Sequence, residues 1–128
     1  MLTHIRFLVD DLAPDVAFYR DVLGLRQVVD VPGTYAEFDA GGARLAFYRA
    51  DQMAGVVGDS VGTSNGNACV ICVRVNSVDE EAARLAGLGI LLLRPPQDQP
   101  LWYQRVAHLR DARGRLIELW APLAKSPA

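Results

Sequence analysis

The sequence predicts an α+β fold in which two paired βαβββ modules form a curved sheet around a cavity. Residues 2–49 and 68–121 each contain a short apolar strand, an amphipathic helix that ends at glycine, and further strands. The two halves also end alike, since 42–48 and 114–120 both begin with a turn glycine followed by alternating apolar and aromatic residues. Because each helix covers one face of its own sheet, the opposite faces are left to line the cavity.

Length and composition fit one domain built from these two modules. The chain has 128 residues, of which 51% are hydrophobic, and this is enough for a real core. Module one is predicted at 1–50 and module two at 68–122. The segment between them, 51–67, is rich in Gly, Ser, Asn and Asp and is predicted to be a linker in which only 53–57 can form a helical turn.

Charge and hydropathy exclude two classes of partner. The formal net charge of −2 comes from 13 basic and 15 acidic residues that are scattered along the chain. Without a basic run, nucleic acid is not an expected partner. No apolar stretch approaches the roughly 18 residues of a membrane span, and no secretory signal precedes the first strand. The sequence therefore predicts a cytoplasmic protein that does not bind membranes.

The elements of module one follow from alternation and from turn residues. In the first strand, 3–9, His4 and Arg6 lie on one face and an apolar set lies on the other. Pro14 fits the first turn of the following helix, where Asp10 and Asp11 provide acceptors, and Gly24 ends that helix. Three further strands are predicted at 25–31, 35–39 and 44–48.

Module two repeats this order. A strand at 69–75 precedes a helix whose start has the Ser77 and Glu80 spacing of a capping box. A short strand at 90–93 is expected to stop at Pro95 and Pro96. A polar loop then leads to Trp102 and Tyr103, and the last hairpin joins the strands 105–110 and 115–120.

Three motifs resemble the vicinal oxygen chelate superfamily, which groups glyoxalase I, bleomycin-resistance proteins, fosfomycin-resistance enzymes and extradiol dioxygenases. They are the opening segment 2–12, the helix end 18–25, and the final segment 111–119, in which Ala112 and Arg113 replace the Pro and Asp of the family's Asp-Pro-Asp-Gly turn. The resemblance covers nearly all of the chain. It implies the paired-module fold.

The resemblance also implies a metal site that this chain only half retains. Metal-dependent members hold one divalent ion with side chains from the first and last strands of both modules. His4 and Glu118 match two of these positions, whereas the other two are occupied by Ala46 and Val70. Since catalytic metal sites usually have three protein ligands, no tightly held metal or other cofactor is expected. A weakly bound divalent metal is the alternative, and His108 could assist it if the hairpin register turns it inward.

Other cavity residues have two interpretations each. His4 and Glu118 are predicted to form a hydrogen-bonded pair. Arg6 and Arg74 are either receptors for an anionic ligand or ordinary salt-bridge residues. Tyr48 and Trp120 either stack on a planar ligand or fill the core. Trp102 and Tyr103 are expected at the rim of the cavity. Tyr35 and Glu37 are weaker candidates.

The two cysteines are not expected to hold a metal or form a disulfide. Cys69 and Cys72 lie three apart in a predicted strand and so point to opposite faces.

The predicted function is the binding of a partly aromatic or anionic metabolite or drug, by a homodimer. The alternative is a metal-dependent lyase, isomerase or dioxygenase in which His4 and Glu118 are catalytic. An accessory module that only dimerises would instead have a cavity plugged by side chains.

Overall fold

The computed structural model describes residues 1–63 and 69–123, and the chain divides into two compact units at residues 65 and 66. Each unit contains one four-stranded sheet and the helix that connects its first two strands. The α+β class and the two βαβββ modules predicted from the sequence are confirmed. Among the described residues, no helix is long and apolar enough to cross a membrane.

Module one is built on a mixed four-stranded sheet. Its elements are β1 His4–Val9, α1 Ala13–Val16 continuing as a π-helix at Ala17–Val22, β2 Gln27–Val31, β3 Tyr35–Asp39, β4 Arg44–Arg49 and a second helix α2 Ala50–Val57. The strand order is β1-β4-β3-β2, in which β1 runs parallel to β4 and the other neighbours are antiparallel. The helix α1 supplies the crossover that parallel strands require.

Helix α1 covers one face of this sheet with aromatic side chains. The Tyr19 ring is fully buried and lies 4.9 Å from the ring of Phe47 and 6.3 Å from that of Phe38. Asp11 accepts a hydrogen bond from the backbone of Ala13, and Gly24 follows the helix at φ +75°, so both predicted helix boundaries are confirmed. The opposite face of the sheet therefore carries the polar side chains of β1, β3 and β4.

Module two repeats this architecture. Its elements are β5 Val70–Arg74, α3 Val78–Gly87, β6 Arg94–Gln99, a 3₁₀ turn at Pro100–Trp102, β7 Gln104–Arg110 and β8 Leu116–Pro122. The strand order is β5-β8-β7-β6, with β5 parallel to β8. Ser77 caps α3 as predicted, since its hydroxyl accepts a hydrogen bond from the Glu80 backbone at 3.2 Å. The buried side of α3 includes Val78 and Leu85.

The predicted position of the sixth strand was wrong. The strand was expected at 90–93 with an end at the two prolines, whereas β6 spans Arg94–Gln99 and contains both Pro95 and Pro96. Strand β6 is an edge strand, and its pairing with β7 is irregular between Arg94 and Gln97. Prolines are tolerated at an edge with a bulge because no neighbouring strand there needs their missing N–H groups.

The segment between the modules is more helical than predicted. Helix α2 begins at Ala50, runs to Val57 and ends where Gly58 adopts φ +76°. A helical turn was expected only at 53–57. Residues 64–67 of the predicted linker lie outside the described residues.

Candidate functional site

The polar face of module one brings together side chains from three adjacent strands. In the strand register, Arg6 on β1 lies beside Ala46 on β4, and Ala46 lies beside Glu37 on β3. Neighbouring strands are about 4.8 Å apart, so β1 and β3 are separated by about twice that distance. Because Ala46 contributes only a methyl group to the middle strand, long side chains from β1 and β3 can meet above it.

His4 uses this space to contact Glu37. Its Nε2 lies 3.2 Å from Oε1 of Glu37, and its Nδ1 lies 2.9 Å from the hydroxyl of Thr3. The Glu37 side chain is only 11% exposed, and the His4 side chain is 34% exposed. The sequence predicted Glu118 as the partner of His4, whereas the carboxylate that contacts His4 within module one is Glu37. The carboxylate lost at position 46 leaves room for a different carboxylate from the next strand.

Tyr35 connects Glu37 to Arg6. The Tyr35 hydroxyl donates to Oε1 of Glu37 at 2.5 Å and accepts from Nε of Arg6 at 3.2 Å. Burial raises the pKa of the Tyr35 phenol, and the bond to Glu37 also raises it, whereas Arg6 lowers it. The bond to Tyr35 in turn raises the pKa of Arg6. The phenol therefore stays protonated and donates to the carboxylate.

Arg6 has no carboxylate within ion-pair distance among the described residues. Its guanidinium carbon lies 5.4 Å from the centre of the Tyr35 ring, and Nε is the only one of its nitrogens that bonds another described side chain. The salt-bridge interpretation of Arg6 is therefore not what the structure shows. A guanidinium held through Nε keeps both terminal nitrogens available to an anion.

A cavity of about 520 Å³ lies directly against Arg6. Tyr35 and Tyr48 form its aromatic wall, with ring centres 5.3 Å apart and the rings nearly perpendicular. Four further residues were not included in the site by sequence reasoning, and two of them lie on α2, which was assigned to the linker. The remaining lining residues are Val31, Thr34, Met53 and Val56.

Module two pairs its own histidine with its own glutamate. His108 on β7 is in register with Glu118 on β8, and His108 Nε2 lies 3.0 Å from Oε1 of Glu118. His108 therefore lies on the same face as Glu118, which settles the register left open by the sequence. The Cys72 thiol donates to Oε2 of Glu118 at 3.6 Å. Burial raises the pKa of the Cys72 thiol, and the negative charge of Glu118 raises it further.

Arg74 and Trp120 form a stacked pair on this face of module two. The Arg74 guanidinium carbon lies 5.2 Å from the centre of the Trp120 ring, and the part of the chain that the structure describes provides no carboxylate to pair with it. Trp102 and Tyr103 lie at the 3₁₀ turn with exposed fractions of 56% and 53%. Their exposure is compatible with a rim, and the rim role stays a prediction.

The side chains present do not fit the four-ligand metal site that the sequence resemblance implied. Two of its positions are Ala46 and Val70, which have no ligand atoms in their side chains. Within residues 1–63 and 69–123, no group of three or more His, Cys, Asp and Glu side chains is arranged to hold a metal ion. The ring nitrogens of His4, the carboxylate oxygens of Glu118 and Nε2 of His108 are engaged in contacts within their own modules. Nδ1 of His108 is buried and has no hydrogen-bond partner among the described residues.

Known proteins share both the sequence pattern and the fold. A family model described as Glyoxalase/Bleomycin resistance protein/Dioxygenase superfamily matches residues 1–119. The uncharacterized protein YraH of Bacillus subtilis (strain 168) is 33% identical over 126 residues, which are 95% of this chain and 98% of YraH.

Among solved structures, a glyoxalase/bleomycin resistance protein/dioxygenase from Nocardioides is 27% identical, with a TM-score of 0.79 and coverage of 100% of this chain and 87% of that one. TioX from Micromonospora sp. ML1 is 26% identical, with a TM-score of 0.70 and coverage of 96% and 99%. The resemblance inferred from the three sequence motifs is confirmed, and the chain belongs to the glyoxalase/bleomycin resistance protein/dioxygenase superfamily.

Proposed function

We propose that the protein binds a small, partly aromatic and anionic molecule in the cavity of module one, and that it does so without a tightly held metal. The observation that carries the proposal is Arg6, which lies in the cavity wall without a carboxylate partner among the described residues and is held there by the Tyr35 hydroxyl. Sequestration or transport of a metabolite or drug in the cytoplasm would be the biological role.

The chemistry of the cavity wall supports this ligand class. A guanidinium binds a carboxylate through two parallel hydrogen bonds. Tyr35 and Tyr48 offer aromatic edges and faces beside it, and the side chains of Val31, Met53 and Val56 supply apolar contact. A volume of about 520 Å³ lies within the range of small-molecule sites.

Two naphthalene ligands, one with a carboxylate and one with a neutral hydroxymethyl group, test the role of Arg6. We expect 2-naphthoate to bind about 10-fold more tightly than 2-naphthalenemethanol in titration calorimetry, since a hydrogen bond to a charged group contributes about 1.5–3 kcal/mol. Arg6→Gln should remove this preference. Arg26→Gln is the matched control, because Arg26 is 73% exposed and is already paired with Asp39. Equal binding of the two ligands to the unaltered protein would overturn the proposal.

Metal titration separates this proposal from the metal-dependent enzyme. Protein treated with a chelator should bind 2-naphthoate as tightly as protein supplied with zinc, nickel or manganese. A single divalent ion bound per chain with submicromolar affinity, and lost in both His4→Ala and Glu118→Gln, would instead support a lyase, an isomerase or a dioxygenase.

A further inference from the structure

We propose that α2 is a lid over the module-one cavity, which closes on the apolar part of the ligand and is stabilised by it. The inference rests on the proposed function because the ligand lies in the same cavity. It adds a conformational change to ligand binding, and it assigns Met53 and Val56 to the recognition of the apolar part of the ligand.

Two side chains of α2 line the cavity although the helix itself is poorly covered. Met53 and Val56 lie three residues apart, so they share one face of the helix. Val56 is 70% exposed, and every side chain of α2 is either exposed or only half-buried. Water therefore contacts apolar surface of the helix that a ligand in the cavity would cover, and covering it is favourable.

The sequence of α2 makes it a weak helix on its own. It has only eight residues, and helices this short are marginal in water without tertiary packing. Its N-cap residue is Arg49, whose side chain does not cap the helix, and Gly55 lies in its interior, where glycine is unfavourable. The helix therefore depends on contacts outside itself, and a ligand in the cavity would supply them.

The start of α2 is anchored, whereas its end is not covered. The backbone N–H of Arg49, the last residue of β4, donates to the carbonyl of Thr34 at 2.9 Å, and the Arg49 guanidinium pairs with Asp51 in the first turn. At the other end, Val56 is exposed and Gly58 stops the helix in the left-handed conformation. A helix held at its start can open about the junction between β4 and α2, and the anchored first turn is then the hinge.

Hydrogen exchange measured by mass spectrometry tests the lid, with 2-naphthoate as the probe. Because the ligand binds the closed lid, a free concentration of about ten times the dissociation constant should slow the exchange of the α2 amides by about tenfold. If 2-naphthoate binds and the exchange of α2 is unchanged, the lid is overturned and the proposed function stands. If 2-naphthoate does not bind, both proposals fail.

Two neighbouring valines provide a matched pair of variants. Val56 lines the cavity, whereas Val57 is 55% exposed and is not among the described lining residues. Serine and valine have similar helix propensities, so neither Val56→Ser nor Val57→Ser should alter the helix itself. We expect Val56→Ser to weaken the binding of 2-naphthoate about three- to tenfold in titration calorimetry and Val57→Ser to change it less than about twofold. Equal weakening by the two variants would overturn the contact between α2 and the ligand.

Gly55→Ala tests the lid from the opposite direction. Gly55 is not among the described lining residues, and an added methyl group there has open space around it. Alanine strengthens a helix, so the variant should slow the exchange of the α2 amides without ligand. It should also tighten the binding of 2-naphthoate about two- to fivefold, because the binding-competent state is more populated. An unchanged dissociation constant would show that α2 is already closed without ligand, and would overturn the lid.

Discussion

The methyl side chain of Ala46 determines which residues meet on the polar face of module one. The equivalent position of module two is Glu118, because each lies two residues before the final aromatic residue of its strand, Tyr48 or Trp120. On the antiparallel side of its strand, Ala46 lies beside Glu37 of β3, and Glu118 lies beside His108 of β7. Both modules therefore hold a histidine against a glutamate. The two glutamates lie on strands that are not equivalent, since Glu37 is on β3 and Glu118 is on β8, the counterpart of β4.

A buried ion pair in the last turn is expected to be important for stability. Asp111 Oδ1 accepts from the backbone N–H groups of Arg113 and Arg115, and its Oδ2 accepts from the Arg115 guanidinium at 2.9 Å. Both side chains of the ion pair are fully buried. Asp111→Ala should lower the free energy of unfolding in urea by about 3–5 kcal/mol, because it leaves a buried charge without its carboxylate.

Asp21→Ala is the control for this prediction. Asp21 pairs with Arg20 at the surface, where both side chains are more than half exposed, so its removal should change stability little. Equal losses in the two variants would contradict the role given to the buried pair.

The environment of Cys72 predicts an alkaline onset of thiol reactivity. A raised pKa means that less thiolate is present at a given pH, and the thiolate is the species that reacts with iodoacetamide. In a Cys69→Ser background, the midpoint of the rate against pH for Cys72 should lie above that of a free thiol. Glu118→Gln should shift it to lower pH, because the charge contribution disappears while burial remains.

Glu37→Gln, the same substitution in the other module, is the matched control and should leave the Cys72 midpoint in place. A midpoint unaffected by Glu118→Gln would show that Glu118 does not act on this thiol.

At the scale of secondary structure, Arg105 joins three elements of module two. From β7 it bonds both carboxylate oxygens of Asp79 in the first turn of α3, at 2.6 and 2.9 Å, and Asp98 on β6 at 2.8 Å. The hydrogen bonds from Arg105 hold the pKa of Asp79 below its ordinary value of 3.8. The proline-containing edge strand is thereby tied to the helix through one side chain.

The stabilising effect of this contact should depend on pH in a defined direction. Since the Asp79 pKa is lower in the folded state, its contribution is present above pH 3.8 and is lost as the pH falls through the folded-state value. The difference in unfolding free energy between the unaltered protein and Arg105→Gln should therefore shrink between about pH 5 and about pH 2.

Arg94→Gln provides the comparison, because the Arg94 guanidinium contacts the neutral amide of Gln97. The effect of Arg94→Gln on the unfolding free energy should be nearly the same at about pH 5 and at about pH 2. A constant difference for Arg105→Gln across this range would contradict the assignment.

At the scale of the whole molecule, each sheet ends in strands whose outer edges have no partner within the sheet. These are β1 and β2 in module one, and β5 and β6 in module two. Ile5 on β1 and Val70 on β5 are each 48% exposed. Exposed apolar edge strands favour pairing with another chain, so the homodimer predicted from the sequence remains our proposal.

Sedimentation velocity tests the assembly directly. We expect a dimer at micromolar concentration and a shift toward monomer in Ile5→Lys, because a charge on an edge strand opposes pairing. Leu88→Lys, at the exposed end of α3, should leave the dimer intact. A monomer in the unaltered protein at the same concentration would refute the prediction.

The sequence by itself determined the two-module fold, the ends of α1 and the cap of α3, and three motifs indicated the family. The resemblance to that family placed Ala46 and Val70, which have no ligand atoms in their side chains, at two of its metal positions. The fold and the helix ends depend on local signals, namely the alternation along strands, the turn glycines and the capping residues. The same local signals identified Arg6 and Tyr48 as candidates. They misplaced β6, because a proline pair normally ends a strand and only the irregular edge pairing tolerates it.

Only the tertiary structure decided which side chains meet. Within module one His4 contacts Glu37, within module two His108 lies beside Glu118, and α2 contributes Met53 and Val56 to the cavity wall. Each of these contacts depends on strand order and register, and a shift of one residue would turn every side chain of a strand to the other face. The sequence contains the residues of the site, but their distances are set by the packing of strands that are far apart along the chain.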